Sequence, residues 1–461
     1  MDVENGDEDL HRTVRTISSD ATPHKSCSSV TLTLAVKDDW EDGNGDAAER
    51  DTEGAATGRD TAASDETKQI DDDDEKKLRR LASDTSCSNW NWLHILYLSL
   101  FTPVGVILRA FMGRFFGGDC ESNSMGHVID DWLWPLSHKI CVTANGETEQ
   151  YGGALFIDLP ANMFGSLIIG LVTGHTLHGE WPGIPWLSHD HPLQTNESLL
   201  VGLRTALCGC MTTFSSWNSQ MVLMMDGTAN PYLGTQVLAA IFGYMIGFQA
   251  ALVSFRVGRT LSAWFHLRKN PHIFDRRVTR RQMRRRCHHD HLYWIVPLSV
   301  FIPVGILVAL SIYGDFYRGI AWYRELWIAC VFGPIGTILR WKLSTLNGKF
   351  SRSGLLWFPA GTFLANFIGS ILSAGLTAYW INEENDGDDE GEREITIMRA
   401  ISLGLAGSLS TVSTFVKECV EIGEKNSPYD KKAFLYSQGT MLSCCLVGLL
   451  VYCPIVRYAT I

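Results

Sequence analysis

One short stretch occurs twice in this chain, each time inside an apolar run long enough to cross a bilayer. At 209–217 the residues are Gly-Cys-Met-Thr-Thr-Phe-Ser-Ser-Trp, and at 407–415 they are Gly-Ser-Leu-Ser-Thr-Val-Ser-Thr-Phe. Each copy holds a glycine, a cluster of hydroxyl residues and a terminal aromatic where Leu and Val would suffice. Polar groups at membrane depth are costly, so they mark a place where the protein needs them. The apolar residues, 46% of the chain, gather into runs of about 20, the length that spans a hydrocarbon core. The runs fall at 91–112, 153–174, 199–224, 232–255, 293–313, 322–341, 355–380, 397–420 and 433–456. The chain therefore reads as an all-α integral membrane protein with nine transmembrane helices.

The repeat extends beyond the opening stretch. Gly105 and Arg109 recur as Gly336 and Arg340, in the first and sixth runs. Ala-Asn-x-x-Gly-Ser at 161–166 recurs at 365–370, in the second and seventh. Gly234, Thr235 and Gly243 recur as Gly439, Thr440 and Gly448, in the fourth and ninth. Four matches in one order define two four-helix repeats joined by the single helix at 293–313. An odd helix between repeats of four spans turns the second repeat over, which gives an inverted 4+1+4 layout. The predicted domains are 1–88, an acidic tail; 89–257, the first repeat; 258–321, a basic connector and linker helix; and 322–461, the inverted second repeat.

Loop charges agree with this topology. The connector carries eleven basic residues between Arg256 and Arg286, which puts it in the cytoplasm by the positive-inside rule. The N-terminus and the basic stretches 342–352 and 425–432 then lie on the same side, and the acidic loops at 119–131 and 382–394 lie outside with the C-terminus. The first 80 residues hold 22 acidic and 11 basic side chains, so the whole net charge of −11 resides there. With few aromatics and the acidic run 71–75, that tail reads as disordered and cytoplasmic. Cys120 and Cys141 share an external loop and are candidates for a disulfide. The sequon at Asn196 falls in a cytoplasmic loop, and the His-rich stretch 287–291 lacks a second ligand cluster, so neither modification nor metal binding is expected there.

The sequence contains no nucleophile elbow, zinc-protease motif, Walker loop or paired intramembrane carboxylates. The polar groups at depth are hydrogen-bond donors rather than acid-base catalysts, so an enzyme is not expected. Asn162 and Asn366 lie mid-span; each either bonds across helices or offers its amide to an anion that has shed water. Phe214 and Trp217 share a helix face, and an aromatic edge touches an anion without a formal charge. Arg109 and Arg340, near span ends, snorkel or draw anions to a vestibule. Tyr436, Thr440, Ser443 and Cys444 form a stripe on the ninth helix.

These residues resemble the fluoride channels, bacterial Fluc (CrcB) dimers and their single-chain eukaryotic relatives, the FEX exporters. The resemblance covers roughly 91–456. The family pattern G-A-x-x-R is met at 105–109 and 336–340 with Val106 and Thr337 in place of Ala. G-T-x-x-x-N-x-x-G-S is met throughout 361–370, whereas the first repeat has Ile157 and Asp158 for Gly-Thr. The third-helix pattern, G-G-x-T-T-F-S-T-F-S-x-E, is the most specific, and the two copies of the opening stretch resemble it with departures at Trp217, Gln220 and Val412. The resemblance implies a passive, selective fluoride channel in the plasma membrane, a single-chain pseudo-dimer whose partners are lipid and fluoride, with no nucleic acid. It implies that helix three breaks at mid-membrane and that the carbonyls of Gly209, Thr212, Gly407 and Ser410 hold a structural sodium ion. It implies two pores, each lined by the first aromatic of one half and the second of the other, with the hydroxyls of Thr213, Ser215, Thr411 and Ser413 beside them. Phe214 with Phe415 is then a complete pair, and Val412 with Trp217 a degraded one, which points to one conducting and one vestigial pore. Glu418 matches the family glutamate; Gln220 replaces it in the first repeat. Two other readings stand beside this one: an inverted-repeat transporter of small anions or drugs, and a non-transporting assembly subunit.

Overall fold

The computed structural model describes residues 92–116, 155–173, 175–176, 179–180, 183–187, 191–226, 233–269, 292–349, 356–386, 389–425 and 431–459. The acidic tail, Cys120, Cys141 and the basic and His-rich stretch 270–291 lie outside those residues. The described chain is helical, apart from one two-residue ladder pairing His175–Thr176 with Gly179–Glu180. Among the described residues, eight helices are long and apolar enough to cross a membrane.

The first is α1 (Trp92–Phe116), followed by α2 (Leu159–Val172), whose 14 residues are fewer than the sequence led one to expect. At 1.5 Å per residue α2 is about 21 Å long, short of a hydrocarbon core of about 30 Å. The third span begins as α3 (Glu197–Val201), where Asn196 caps the helix by accepting from the Leu199 N–H at 3.0 Å. Asn196 is only 3% exposed and also donates to the Tyr97 hydroxyl, so the sequon asparagine is a structural cap. The helix continues through a π-helical turn (Gly202–Cys208) and a short turn (Gly209–Met211), then breaks. It resumes as α4 (Ser215–Asp226), and α5 (Leu233–Lys269) completes the first half. The boundary placed at 257 falls inside α5, which carries Arg256, Arg259 and Arg268 beyond the expected span. Arg259 donates to Glu424 across the halves at 2.8 Å.

The helix α6 (Leu292–Arg318) leads to α7 (Ala321–Ser344) and α8 (Ala360–Asp386). Next, α9 (Asp389–Ile401) passes into a second π-helical turn (Ser402–Ala406) and a short turn (Gly407–Leu409) before its own break. The last helices are α10 (Ser413–Lys425) and α11 (Lys432–Ala459). The acidic stretch 382–394 was expected to be a loop; its described residues are mostly the ends of α8 and α9. A 27-residue helix is about 40 Å long, so its charged last turns extend past the hydrocarbon.

Packing is paired throughout. Helix α2 lies along α5 as α8 lies along α11; α1 crosses α7; α1 touches the first π-helical turn as α7 touches the second. Across the halves, α4 packs on α8 and α11, and α10 packs on α2 and α5. Close approach is possible because Gly105 and Gly336 stand where a Cβ would strike the Leu207 and Leu405 carbonyls. The helix α6 stays peripheral. Its Phe301, Ile302, Ile306, Phe316 and Tyr317 are exposed, as suits a lipid face, and Asp315 fastens it to α7 through Arg324 at 2.9 Å and the Trp327 indole at 3.0 Å.

Candidate ion pathway and its central interface

Both copies of the opening stretch leave the helical conformation at equivalent residues. Thr212 (φ −95°, ψ 143°) and Ser410 (φ −83°, ψ 161°) are extended. An extended residue in a helix orphans backbone groups, which at membrane depth need partners from within the protein. The two asparagines supply them. Asn162 accepts from the Thr213 N–H at 2.8 Å and donates to the Thr213 carbonyl at 3.2 Å; Asn366 does the same for Thr411 at 2.7 and 3.2 Å. Both asparagines are fully buried. Of the two roles weighed for them, these bonds supply bracing of the break.

Further backbone groups at each break are met by the other half. The Ser215 N–H donates to Ser410 Oγ at 3.0 Å, and the Ser413 N–H to Thr212 Oγ1 at 3.1 Å. Ser215 Oγ donates to the Ala406 carbonyl at 3.2 Å, and Ser413 Oγ to the Cys208 carbonyl at 3.3 Å. Thr212 and Thr411 hydroxyls meet at 3.2 Å. The hydroxyl residues therefore form the seam between the halves, and each bond has a counterpart.

The arginines depart from the expected vestibule. Arg109 is 1% exposed and Arg340 4% exposed, and each reaches the break region of the opposite half. Arg109 donates to the Leu403 carbonyl and Arg340 to the Thr205 carbonyl, both in π-helical turns, where the widened spacing frees a carbonyl. The helices they meet carry Gly407 and Gly209, where a Cβ would collide with each guanidinium. Arg340 goes further: its Nη1 donates to the Gly209 carbonyl at 3.0 Å and the Ser410 carbonyl at 2.8 Å. Two of the four carbonyls expected to hold sodium thus converge on one point already taken by a fixed cation. A four-carbonyl sodium shell does not fit this arrangement.

Beyond the seam the aromatics form one buried cluster, in which Phe214 meets Trp217 edge to face with centroids 5.5 Å apart. Phe214 and Phe415 meet edge to face, with centroids 5.7 Å apart, and Phe415 meets Tyr436 the same way at 5.3 Å. The Tyr436 hydroxyl donates to Glu418 at 2.7 Å, and the other carboxylate oxygen accepts from Thr362 at 2.7 Å and Asn347 at 3.1 Å. Thr440 and Cys444 are buried along this line. Ser443 is set apart from it, half-buried with its hydroxyl returned to the Gly439 carbonyl. Trp217 is stacked on Phe156 at 5.3 Å, lies 5.5 Å from Tyr244, and fills the space beside Gly247. Val412 is fully buried in the same cluster.

Asn218 escaped the sequence reading, and Asp158 and Gln220 entered it only as departures from the family pattern. Asn218, fully buried, accepts from Tyr244 at 2.7 Å and donates to the Cys444 carbonyl at 3.1 Å, linking the fourth helices of both halves. An amide inside an apolar run was its signal. Asp158, 5% exposed, accepts from Ser216, and Gln220 accepts from the Ile157 N–H at 3.3 Å. The first half has therefore moved its carboxylate from the third helix to the second: Asp158 stands where the other half has Thr362, and Gln220 where it has Glu418.

These features define a multi-pass membrane protein whose two broken helices lock together through hydroxyls and buried arginines. The chain matches the family profile described as CrcB-like protein, Camphor Resistance (CrcB), over residues 96–253 and 327–452, and it belongs to that family. It is 26% identical over 302 residues to fluoride export protein 1 of Candida albicans, covering 61% of this chain and 68% of that protein. It is 36% identical over 95 residues to the fluoride-specific ion channel FluC 2 of Staphylococcus haemolyticus, 21% of this chain and 68% of that one. Fluoride export protein 1 of Saccharomyces cerevisiae is 27% identical over 162 residues, 34% of this chain and 39% of its own length. No solved structure matches the chain.

Proposed function

We propose that this chain is a passive fluoride channel that exports the anion across the plasma membrane, with two inverted four-helix repeats, a linker helix, nine spans, a cytoplasmic N-terminus and an external C-terminus. Fluoride follows the line from Glu418 past Tyr436, Phe415 and Phe214, and the equivalent route past Val412 and Trp217 is closed. The observation that carries this reading is the contrast between the two aromatic sets. Phe214, Phe415 and Tyr436 present ring edges to one another, and edges are the electropositive part of an aromatic ring. Trp217 belongs to the same cluster and meets Phe214 edge to face, but its own face is stacked on Phe156. The residues named for this chain solvate an anion and break no bond. An inside-negative potential drives the anion outward with about 2.3 kcal/mol per charge per 100 mV.

The test is fluoride efflux from liposomes holding the purified chain, under a potassium-valinomycin voltage. Phe214→Ile and Phe415→Ile are expected to slow efflux at least about tenfold, the equivalent of about 1.4 kcal/mol in the barrier. Val412→Ala and Trp217→Phe are expected to leave it within about twofold. Absence of voltage-driven efflux from the wild-type chain refutes the channel, and equal losses in all four variants refute the single route.

A further inference from the structure

The bonds of the break hydroxyls come in matched pairs, whereas Thr102 with Thr337, Cys210 with Thr337, Asn218 with Cys444 and part of the arginine set have no counterpart. Arg340 donates to three carbonyls, at Thr205, Gly209 and Ser410. Its counterpart Arg109 donates to Leu403; the Nε of each arginine is buried without a partner, and in Arg109 the Nη1 is as well. The carbonyls of Gly407 and Thr212, which would mirror those of Gly209 and Ser410, do not receive Arg109.

Charge explains the difference. Arg109 has a countercharge, the Asp158 carboxylate, within electrostatic reach. The matching position in the second half is Thr362, and among the described residues no carboxylate acts on Arg340; the ionisable groups facing it are the Cys208 and Cys210 thiols and, as a like charge, Arg109. Arg340 finds negative potential elsewhere. The helices ending at Met211 and Leu409 both bring their carbonyl ends to the seam. A helix C-terminus carries about half a negative charge, so two of them make about one, which a single guanidinium balances. The planar fork suits this task, because one Nη1 directs a hydrogen to a carbonyl of each half.

We propose that the resident cation of the central interface is the Arg340 guanidinium, bridging the Gly209 and Ser410 carbonyls, and that the folded chain needs no bound sodium there. A dissociable cation on the same oxygen pair would sit against a fixed like charge. The proposal concerns the folded chain whatever ion crosses it, so a thermal readout separates its failure from that of the channel reading.

The full chain in detergent is melted, followed by tryptophan fluorescence, in NaCl, KCl and choline chloride at about 0.15 M, which equalises screening. The wild-type midpoint is expected to agree within about 1 °C in all three. A saturable rise of more than about 3 °C in sodium alone overturns the proposal, because a ligand bound only by the native state raises the midpoint in this way. Arg340→Gln is expected to melt lower and to gain a sodium-specific rise, since its carbonyl pair is left without a cation; Arg109→Gln is expected to gain none. A folded Arg340→Gln chain that stays indifferent to sodium, or an Arg109→Gln chain that responds, overturns the assignment to Arg340. If Arg340→Gln does not fold, the wild-type comparison decides.

Discussion

Phe415 shows how one ring can belong to packing and to a path at once. It is fully buried and touches Phe214, Phe248 and Tyr436 through ring contacts with centroids 5.3 to 5.8 Å apart. The line ends at Glu418, whose carboxylate keeps three donors; such bonds to a charged acceptor contribute about 1.5–3 kcal/mol each. Tyr436→Phe removes one donor and leaves the ring, so unfolding in denaturant is expected to show a loss of about 1.5–3 kcal/mol. A change at Gly336 acts by a different mechanism. Its Cβ would press on the Leu405 carbonyl and lie 2.9 Å from the Leu409 nitrogen, both backbone atoms that cannot swing aside. Gly336→Ala is expected to cost about 1–3 kcal/mol through overpacking, read as a lower melting midpoint.

The broken helices depend on elements that are not their own. Each break is held by an asparagine from the second helix of its half and by hydroxyls from across the seam, and Arg340 donates to a carbonyl at both. Asn366→Leu would leave the Thr411 N–H and carbonyl unpaired at a depth where no water replaces the amide. The expected loss is about 2–4 kcal/mol, and accelerated hydrogen exchange at 410–412 is the measurement that locates it. Unchanged exchange there would count against the bracing role. The glycine and hydroxyl residues in an apolar run marked polar groups at depth, and the break itself was an implication of the family resemblance. The asparagine's partner was not legible, because both bracing across helices and binding an anion put an amide at mid-span, and a motif carries no direction for a side chain.

For the chain as a whole, the contacts across the seam predict that covalent continuity is dispensable. Co-expressed pieces ending and beginning within 270–291 are expected to co-purify in mild detergent, since α10 packs on α2 and α5, and α4 on α8 and α11, without that connector. Substituting Ser215, Ser410 and Ser413 together by Ala is expected to weaken co-purification, because it removes the paired bonds of the seam. Recovery of both pieces separately, with intact seam residues, would show that the halves need their tether. The twofold plan behind this prediction was readable from residue spacing, because glycine, asparagine and arginine recur in one order at fixed places along apolar runs. Composition likewise marked the membrane class, since runs of about 20 apolar residues have few other uses. Where the twofold plan fails was not readable. The linear chain shows that Asp158 replaces a threonine and Gln220 a glutamate, but not that the two changes move one carboxylate between neighbouring helices. Nor does it show that Arg340, left without an acid, turns to the carbonyl ends of both broken helices. Those outcomes depend on which groups lie within about 3 Å of one another across some 130 residues of chain, a distance set by packing rather than by spacing.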